Sequence, residues 1–277
     1  MRECLFVSAA IVLLATPRLL AGSTTAFQLG DQGGVILPVM LNGNGPFMML
    51  LDTGATHSAI TTDVAAAIGA RTVATSNVLS PTNGTIRPIV AIDELSVGPI
   101  TADLVLPSVV PNASFDPGGK IQGLIGQDVL ASLRYTLDFK RRVIEWHDQA
   151  PPRRGLTLKL AFEHGRFLVS LPQDGATLRL VPDSGAGGLV LFDVAGRAHA
   201  NIVDTGRTVE LSTTSARRTV RQVMLRELRL GDRTMRDVPA VTIERTDPHP
   251  AEGDGLLPLH LFERVTFDGP GRLLILG

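Results

Sequence analysis

The chain has 277 residues, 44% of them hydrophobic and 19% charged, which excludes a disordered tail and allows one large domain or two smaller ones. Its 26 basic and 27 acidic residues give a net charge of −1, so no general field attracts nucleic acid or an anionic membrane surface, and we expect neither as a partner. Aromatic residues make up only 4%, which leaves few stacking surfaces for bases or sugars.

The first 23 residues have the three-part layout of a secretory signal peptide. Arg2 precedes an apolar run at 5–15, and small residues follow at Ala21 and Ser23. The run is shorter than the roughly 20 residues that cross a bilayer, so an uncleaved membrane anchor is only the second interpretation. We therefore expect an exported protein, periplasmic or secreted, whose residues 1–23 are removed.

The only cysteine is Cys4, which lies inside this first segment. Without it the chain has no disulfide, no thiol nucleophile and no thiolate metal ligand. The six histidines are scattered, and no pair has the helical spacing of a metal site. We expect neither a metal nor another cofactor.

After the signal segment, short apolar runs alternate with turn residues, a pattern that predicts strands joined by hairpins. Residues 35–51, for example, contain VILPVML, then NGNG, then FMMLL. Two short helices are predicted in each half, and the first half shows the clearest examples. One covers Asp63–Gly69 with Thr62 as its N-cap, and the other follows Gly126 in the stretch GQDVLASL.

Asp52 directly follows an apolar strand and is itself followed by Thr53 and Gly54. Burying an ionised carboxylate is costly unless hydrogen bonds meet it, so donors are needed close by. The glycine allows a tight turn that brings backbone N–H groups to the carboxylate, and the hydroxyl can fix the loop against a neighbour. The triplet predicts a hydrogen-bonded carboxylate in a tight loop.

The second half of the chain repeats the first at offsets of 130 to 132 residues. LDTGA at 51–55 recurs as PDSGA at 182–186, and GLI at 123–125 recurs as GLL at 255–257. Five such matches keep their order and spacing, which isolated chance matches would not do. We therefore predict two homologous halves, 26–148 and 156–277, joined by a Pro- and Arg-rich linker at 149–155.

These motifs resemble those of the aspartic proteases, in particular the retropepsin-like group with exported bacterial members. LLDTGA and VPDSGA match the family's active-site loop, and the GLI and GLL segments match the second signature, which supports that loop from beneath. The resemblance covers nearly all of the chain after the signal segment. It implies an all-β fold with a few short helices, in which two retropepsin-like β-barrel lobes are related by pseudo-two-fold symmetry.

The resemblance also implies an aspartic endopeptidase with Asp52 and Asp183 as its catalytic dyad. One carboxylate would activate a water as general base, while the protonated partner donates to the carbonyl oxygen of the scissile peptide. Both aspartates lie on one chain, so we expect an active monomer whose partner is a peptide or protein substrate. The residues expected to support the two loops are Thr53, Gly54, Ser184, Gly185 and Gly126.

Members of the family close the cleft with β-hairpin flaps. The turn at 81–85, which contains Asn83 and Gly84, is the candidate flap of the first half, and we expect these two residues to contact substrate. The segment 213–217 lies at the matching distance from Asp183. The alternative for each segment is an ordinary surface turn.

The chain departs from the family pattern at two places. Pro258 stands where the first half has Gly126, which could alter the second support loop. Ala55 and Ala186 follow the triplets where pepsins tend to have a hydroxyl donor, and we assign both to substrate binding. Because a lost donor raises a carboxyl pKa, we predict a less acidic optimum than that of pepsin-like enzymes.

Three other interpretations stay open. The aspartates could be turn or capping residues of a duplicated β protein. The fold could have lost catalysis and serve as a periplasmic peptide-binding module. Paired carboxylates also occur in glycosidases, although the scarcity of aromatic residues argues against a sugar site.

Overall fold

The computed structural model describes most of the chain beyond the first residues, and strands dominate that part. The predicted flap tips lie outside the described residues, and so does most of the predicted signal segment, which stays a prediction. The described ranges are 16–19, 23–31, 33–79, 84–116, 118–173, 176–194, 201–212, 217–245 and 253–277.

The first half contains fourteen described strands, two α-helices and one 3-10 helix. The strands are β1 Thr16–Leu19, β2 Thr24–Ala26, β3 Gln28–Leu29, β4 Val35–Leu41, β5 Asn44–Leu51, β6 Ala59–Thr61, β7 Thr72–Leu79, β8 Gly84–Val90, β9 Ile92–Val97, β10 Ile100–Val105, β11 Ser108–Val110, β12 Gly123–Ile125, β13 Arg134–Asp138 and β14 Val143–His147. The helices are α1 Thr62–Ala67, α2 Gln127–Leu130 and the 3-10 helix Asn112–Ser114.

The second half contains ten described strands and one described 3-10 helix. The strands are β15 Leu156–Glu163, β16 Arg166–Gln173, β17 Ala176–Asp183, β18 Leu189–Val194, β19 Ile202–Ser212, β20 Arg217–Leu230, β21 Arg233–Arg245, β22 Gly255–Pro258, β23 Arg264–Asp268 and β24 Leu273–Leu276. The 3-10 helix is Leu259–Leu261.

The strands of the two halves are connected in the same way around each aspartate. In the first half, β12 pairs in parallel with β5 and antiparallel with β6. In the second half, β22 pairs in parallel with β17 and antiparallel with β18. The support segments thus lie beside the strands that lead into the two loops. The prediction of two repeated, mainly β lobes is confirmed.

A central antiparallel sheet joins the lobes through β13 and β23. At its centre, Thr136 and Thr266 pair in register, and their hydroxyl oxygens are 2.7 Å apart. Arg134 Nε donates to Asp268 at 2.8 Å, and the reciprocal pair links Arg264 to Asp138. Reciprocal contacts between equivalent residues are what a pseudo-two-fold axis requires, so this axis passes through the central sheet.

Alternation of side chains along the strands builds the core. On β4, residues 35, 37, 39 and 41 are all fully buried, because successive strand residues point to opposite faces. At the junction of the lobes, Tyr135 stacks on Phe267 with ring centroids 5.1 Å apart, and Trp146 packs beside them. The sole Tyr and the sole Trp therefore contribute to the contact between the lobes.

In the first half both predicted helices are present, with one correction to their bounds. In the second half the described residues contain a 3-10 helix and neither of the two helices predicted there. The helix after Gly126 is α2, as expected. The N-cap of α1 is Thr61 rather than Thr62, because Thr61 keeps the extended backbone of β6 while its hydroxyl accepts from Val64 N. The helix ends at Ala67, two residues before Gly69 with its positive φ.

The residues between β14 and β15 have no regular secondary structure, and the exact lobe boundaries stay a prediction. Within the predicted signal segment, Thr16–Leu19 pairs with β10 as an edge strand. Among the described residues, no helix has the length and apolar character needed to cross a membrane.

Candidate active site

Each aspartate lies where a strand runs into a tight loop, β5 into the first and β17 into the second. Asp52 Oδ1 accepts hydrogen bonds from Gly54 N at 2.9 Å and from Ala55 N at 3.1 Å. In the second loop, N–H groups from the two residues equivalent to these donate to Asp183 Oδ1 at 2.7 and 3.1 Å. The two loops therefore hold their carboxylates by the same backbone geometry.

The hydroxyl residues of the triplets bond across to the opposite lobe. Thr53 Oγ1 donates to Pro182 O at 2.7 Å and accepts from Ser184 N at 3.0 Å. Ser184 Oγ accepts from Thr53 N at 3.1 Å and donates to Leu51 O. Both residues are buried. Each loop is thus fixed against its counterpart, which places the two aspartates together.

The glycines of the triplets permit the carboxylates to approach the opposite loop. A Cβ added to Gly54 would lie 2.5 Å from Asp183 Oδ2, closer than real contacts allow. A Cβ added to Gly185 would lie 3.3 Å from Asp52 Cγ. Each aspartate therefore packs against the other lobe's glycine, and the two carboxylates share one site.

Burial and mutual charge set the protonation of this pair. Asp183 is 7% exposed, and burial followed by the charge of Asp52 raises its pKa to about 8. Burial also raises the pKa of Asp52, while the N–H bonds of its loop and the Arg166 charge oppose the rise. Two close carboxylates titrate as one unit, so the pair retains a proton well above the usual range of an aspartate.

Polar side chains support the first loop from beneath. Gln127 donates through its backbone N to Ala55 O at 2.9 Å and through Nε2 to Thr53 O at 2.7 Å. The buried carboxylate of Asp128 accepts from Ser58 N at 2.9 Å and from Ser58 Oγ at 2.8 Å. Burial raises the Asp128 pKa. The first loop thus rests on a hydrogen-bonded network.

The close approach of two backbone segments explains why Gly126 is a glycine. A Cβ there would lie 2.6 Å from the carbonyl carbon of His57. In the second lobe, Pro258 takes the place of Gly126, and the equivalent of His57 is Gly188, around whose added Cβ nothing lies within 4 Å. The N–H bonds that hold the aspartate of the loop are nevertheless alike in the two lobes.

The predicted flap residues lie at the ends of antiparallel hairpin arms. Gly84 begins β8 and pairs with Leu79. In the second lobe, Arg217 begins β20 and pairs with Ser212. Asn83 and residues 213–216 lie outside the described residues. Substrate contacts at the flaps stay predictions.

The predicted loop residues occupy the places described above, while two neighbours of the dyad were missed. Ala55 and Ala186 present backbone N–H groups to the carboxylates, and their contact with substrate stays a prediction. The missed residues are Gln127 and Arg166. Aligning the halves gives a signal for Arg166, since this charged residue corresponds to the fully buried Val35. Within the described ranges, no group of three or more acidic, histidine or cysteine side chains could hold a metal ion.

Comparisons with known proteins gave one family and distant structural likenesses. A family model described as aspartyl protease matches twice, at residues 37–129 and 169–260. A retropepsin-like aspartic protease from Rickettsia conorii is 12% identical, with 47% of this chain and 93% of that chain covered and a TM-score of 0.33. Basic 7S globulin from soybean is 10% identical, with 93% and 95% covered and a TM-score of 0.47.

Among curated proteins, no sequence matches this chain significantly. Both structural likenesses are distant, so the assignment rests on the family model, whose two matches together span more than half of the chain. Each match contains one aspartate loop and most of the segment that supports it. The chain belongs to the aspartyl protease family.

Proposed function

We propose that this protein is an aspartic endopeptidase with Asp52 and Asp183 as its catalytic dyad. The observation that carries the proposal is the sharing of one site by two carboxylates, each held by two backbone N–H groups and packed against the glycine of the opposite loop. A pair that retains one proton supplies a general base and a general acid in the same place.

The difference in environment between the two aspartates gives each one a role. Burial raises the pKa of both carboxyls, and the charge of Asp52 adds to the rise at Asp183, so we assign the shared proton to Asp183. Asp52 is partly exposed and acts as the base on a water between the carboxylates. Asp183 donates to the carbonyl oxygen as the water attacks, which gives a tetrahedral diol. The C–N bond then breaks as Asp52 passes its proton to the leaving amine and the diol returns a proton to Asp183. This sequence uses two carboxylates and one water.

The pH range follows from the same protonation states. Activity rises with pH as Asp52 ionises and falls as Asp183 loses its proton, at a pKa of about 8. This supports the expectation of an optimum less acidic than that of pepsin-like enzymes. An optimum near pH 2, well below either raised carboxyl pKa, would contradict it.

The substrate class is an extended peptide, held between the hairpin arms of the two lobes. Since one chain provides both aspartates, the active form is a monomer, and its specific activity is independent of concentration. The N-terminal layout supports export to the periplasm or to the medium.

Cleavage of a mixed peptide library by the protein and by its Asp52→Asn and Asp183→Asn variants tests this proposal. We expect cleavage between about pH 3 and 8 that falls by roughly 10³-fold or more in either variant, as is typical when one member of a catalytic pair is removed. Peptide binding without dyad-dependent cleavage would instead identify a peptide-binding module with the same fold.

A further inference from the structure

In each lobe, one strand forms a hairpin with the strand that ends at the aspartate. The two lobes differ in charge at the first residue of that preceding strand. This residue is Val35 on β4 of the first lobe and Arg166 on β16 of the second. Both lie at the same distance in sequence before their aspartates. Val35 is fully buried, whereas Arg166 is partly buried with its Nε enclosed. A cation therefore occupies a place that the symmetric lobe gives to a core residue.

The start of β4 reaches the active-site loop of the opposite lobe. A Cβ added to Gly34, immediately before Val35, would lie 3.9 Å from Gly185 O and 4.0 Å from Gly185 Cα. From the pseudo-two-fold relation we expect the start of β16 to lie against the first loop. Consistent with this position, the charge of Arg166 lowers the pKa of both Asp52 and Asp183.

Other charged and titratable groups around these elements have partners of their own. Asp128 bonds to Ser58 beneath the first loop, and His57 bonds to Thr56 on the exposed side. Others face β16 or the second loop: Glu163 lies opposite Arg166 in the backbone register of the β15–β16 hairpin and its carboxylate binds Arg179, and His260 hydrogen-bonds to the backbone of Ala186.

Burial alone would keep both carboxylates protonated, which would leave the pair without a base. A nearby cation offsets part of that desolvation. We propose that Arg166 is a positioning residue of the dyad, whose guanidinium stabilises the singly ionised carboxylate pair and so extends the working form of the site to lower pH. This role rests on the proposed function, because only a catalytic pair needs one carboxylate ionised and the other protonated.

Variants at position 166 separate this role from a structural one. Arg166→Val gives the second lobe the residue of the first, Arg166→Gln keeps polarity without charge, and Arg166→Lys keeps the charge. Arg179→Gln is the matched control, since it removes a cation from the same lobe that binds Glu163 at 2.6 Å. Circular dichroism checks that each variant folds.

The readouts are the pH dependence of kcat/KM and the titration of the Asp52 and Asp183 Cγ carbons by ¹³C NMR. We expect both midpoints to rise by about 1 pH unit in Arg166→Val and Arg166→Gln, and to return in Arg166→Lys. A structural role would lower kcat/KM without moving the midpoints.

Unchanged midpoints in the uncharged variants, or equal shifts in Arg179→Gln, would overturn the proposal. The NMR titration does not depend on activity. If the protein cleaves no peptide, the proposed function is contradicted, and the titration still decides the role of Arg166. If Arg166→Val fails to fold, Arg166→Gln and Arg166→Lys decide by the same criteria.

Discussion

The two lobes hold the same loop by different means. In the first, Gln127 and Asp128 support it through hydrogen bonds to Thr53 and Ser58. In the second, the equivalents of Gln127 and Ser58 are Leu259 and Leu189, both buried and apolar. The N–H bonds to the two aspartates are nevertheless alike. The loop is the constrained element, and its support can be polar or apolar provided that the space beneath it is filled.

The largest expected difference between the lobes is in how much each aspartate changes the stability of the fold as the pH rises. A folded-state pKa of about 8 means that folded Asp183 holds a proton that the unfolded chain releases near pH 4. Its contribution to stability is therefore present at low pH and lost as pH rises towards 8.

Asparagine resembles the protonated carboxyl group, so Asp183→Asn should raise the melting temperature at pH 7 and change it little at pH 4. Asp52→Asn should give a smaller gain, since Asp52 is partly exposed. Thermal unfolding at both pH values measures this. Equal melting temperatures of wild type and Asp183→Asn at pH 7 would show that keeping Asp183 protonated costs the folded protein no stability.

A second difference lies in the support residues Asp128 and His260, which occupy equivalent positions. Asp128→Ala would leave the buried N–H and hydroxyl of Ser58 without their acceptor and should cost about 3 kcal/mol. His260 is partly exposed, and His260→Ala should cost about 1 kcal/mol or less. Urea unfolding compares the two, and equal losses would show that the buried Asp128 contributes no more to stability than the half-buried His260.

The glycines at positions 126 and 188 give a third comparison between the lobes. Gly126→Ala would press a Cβ into the backbone of His57 and should destabilise the fold by about 1–3 kcal/mol. Gly188→Ala, at the position equivalent to His57, meets open space and should stay within about 0.5 kcal/mol. Urea unfolding measures both changes. An unfolding free energy of Gly126→Ala equal to that of the wild type would show that the loop can move to make room for the methyl group.

The smallest effect is expected from replacing a first-lobe residue by its second-lobe equivalent. Gln127→Leu loses the bond to Thr53 O, but it also removes Gln127 Oε1, which is buried without a hydrogen bond in the described structure. We expect a change of about 1 kcal/mol or less in unfolding free energy. A loss several times larger would mean that the polar network acts as a unit.

The repeat in the sequence predicted the two lobes because each aspartate triplet keeps its distance from its support segment. The glycine and hydroxyl of each triplet likewise pointed to a tight loop fixed against a neighbour. The sequence did not predict that Thr53 would bond to Ser184, since only folding brings residues of different lobes together.

Other features depended on tertiary context. The cap of α1 lies at Thr61 because β6 runs directly into the helix, and the pattern of side chains cannot fix such a boundary to one residue. The long strands β20 and β21 are defined by pairing with each other rather than by an apolar run. The repeat sets Arg166 against Val35, but a single unmatched residue does not show from the sequence where its side chain lies in the fold.

The most direct test of one active site shared by two lobes is a comparison of single and double aspartate variants. The measurement is kcat/KM for Asp52→Asn, Asp183→Asn and the double variant on one cleaved peptide. A shared site predicts that the double variant is no worse than either single variant, because each substitution alone removes the same catalytic unit. Losses that multiply in the double variant would mean that the two aspartates act independently, which contradicts a single dyad.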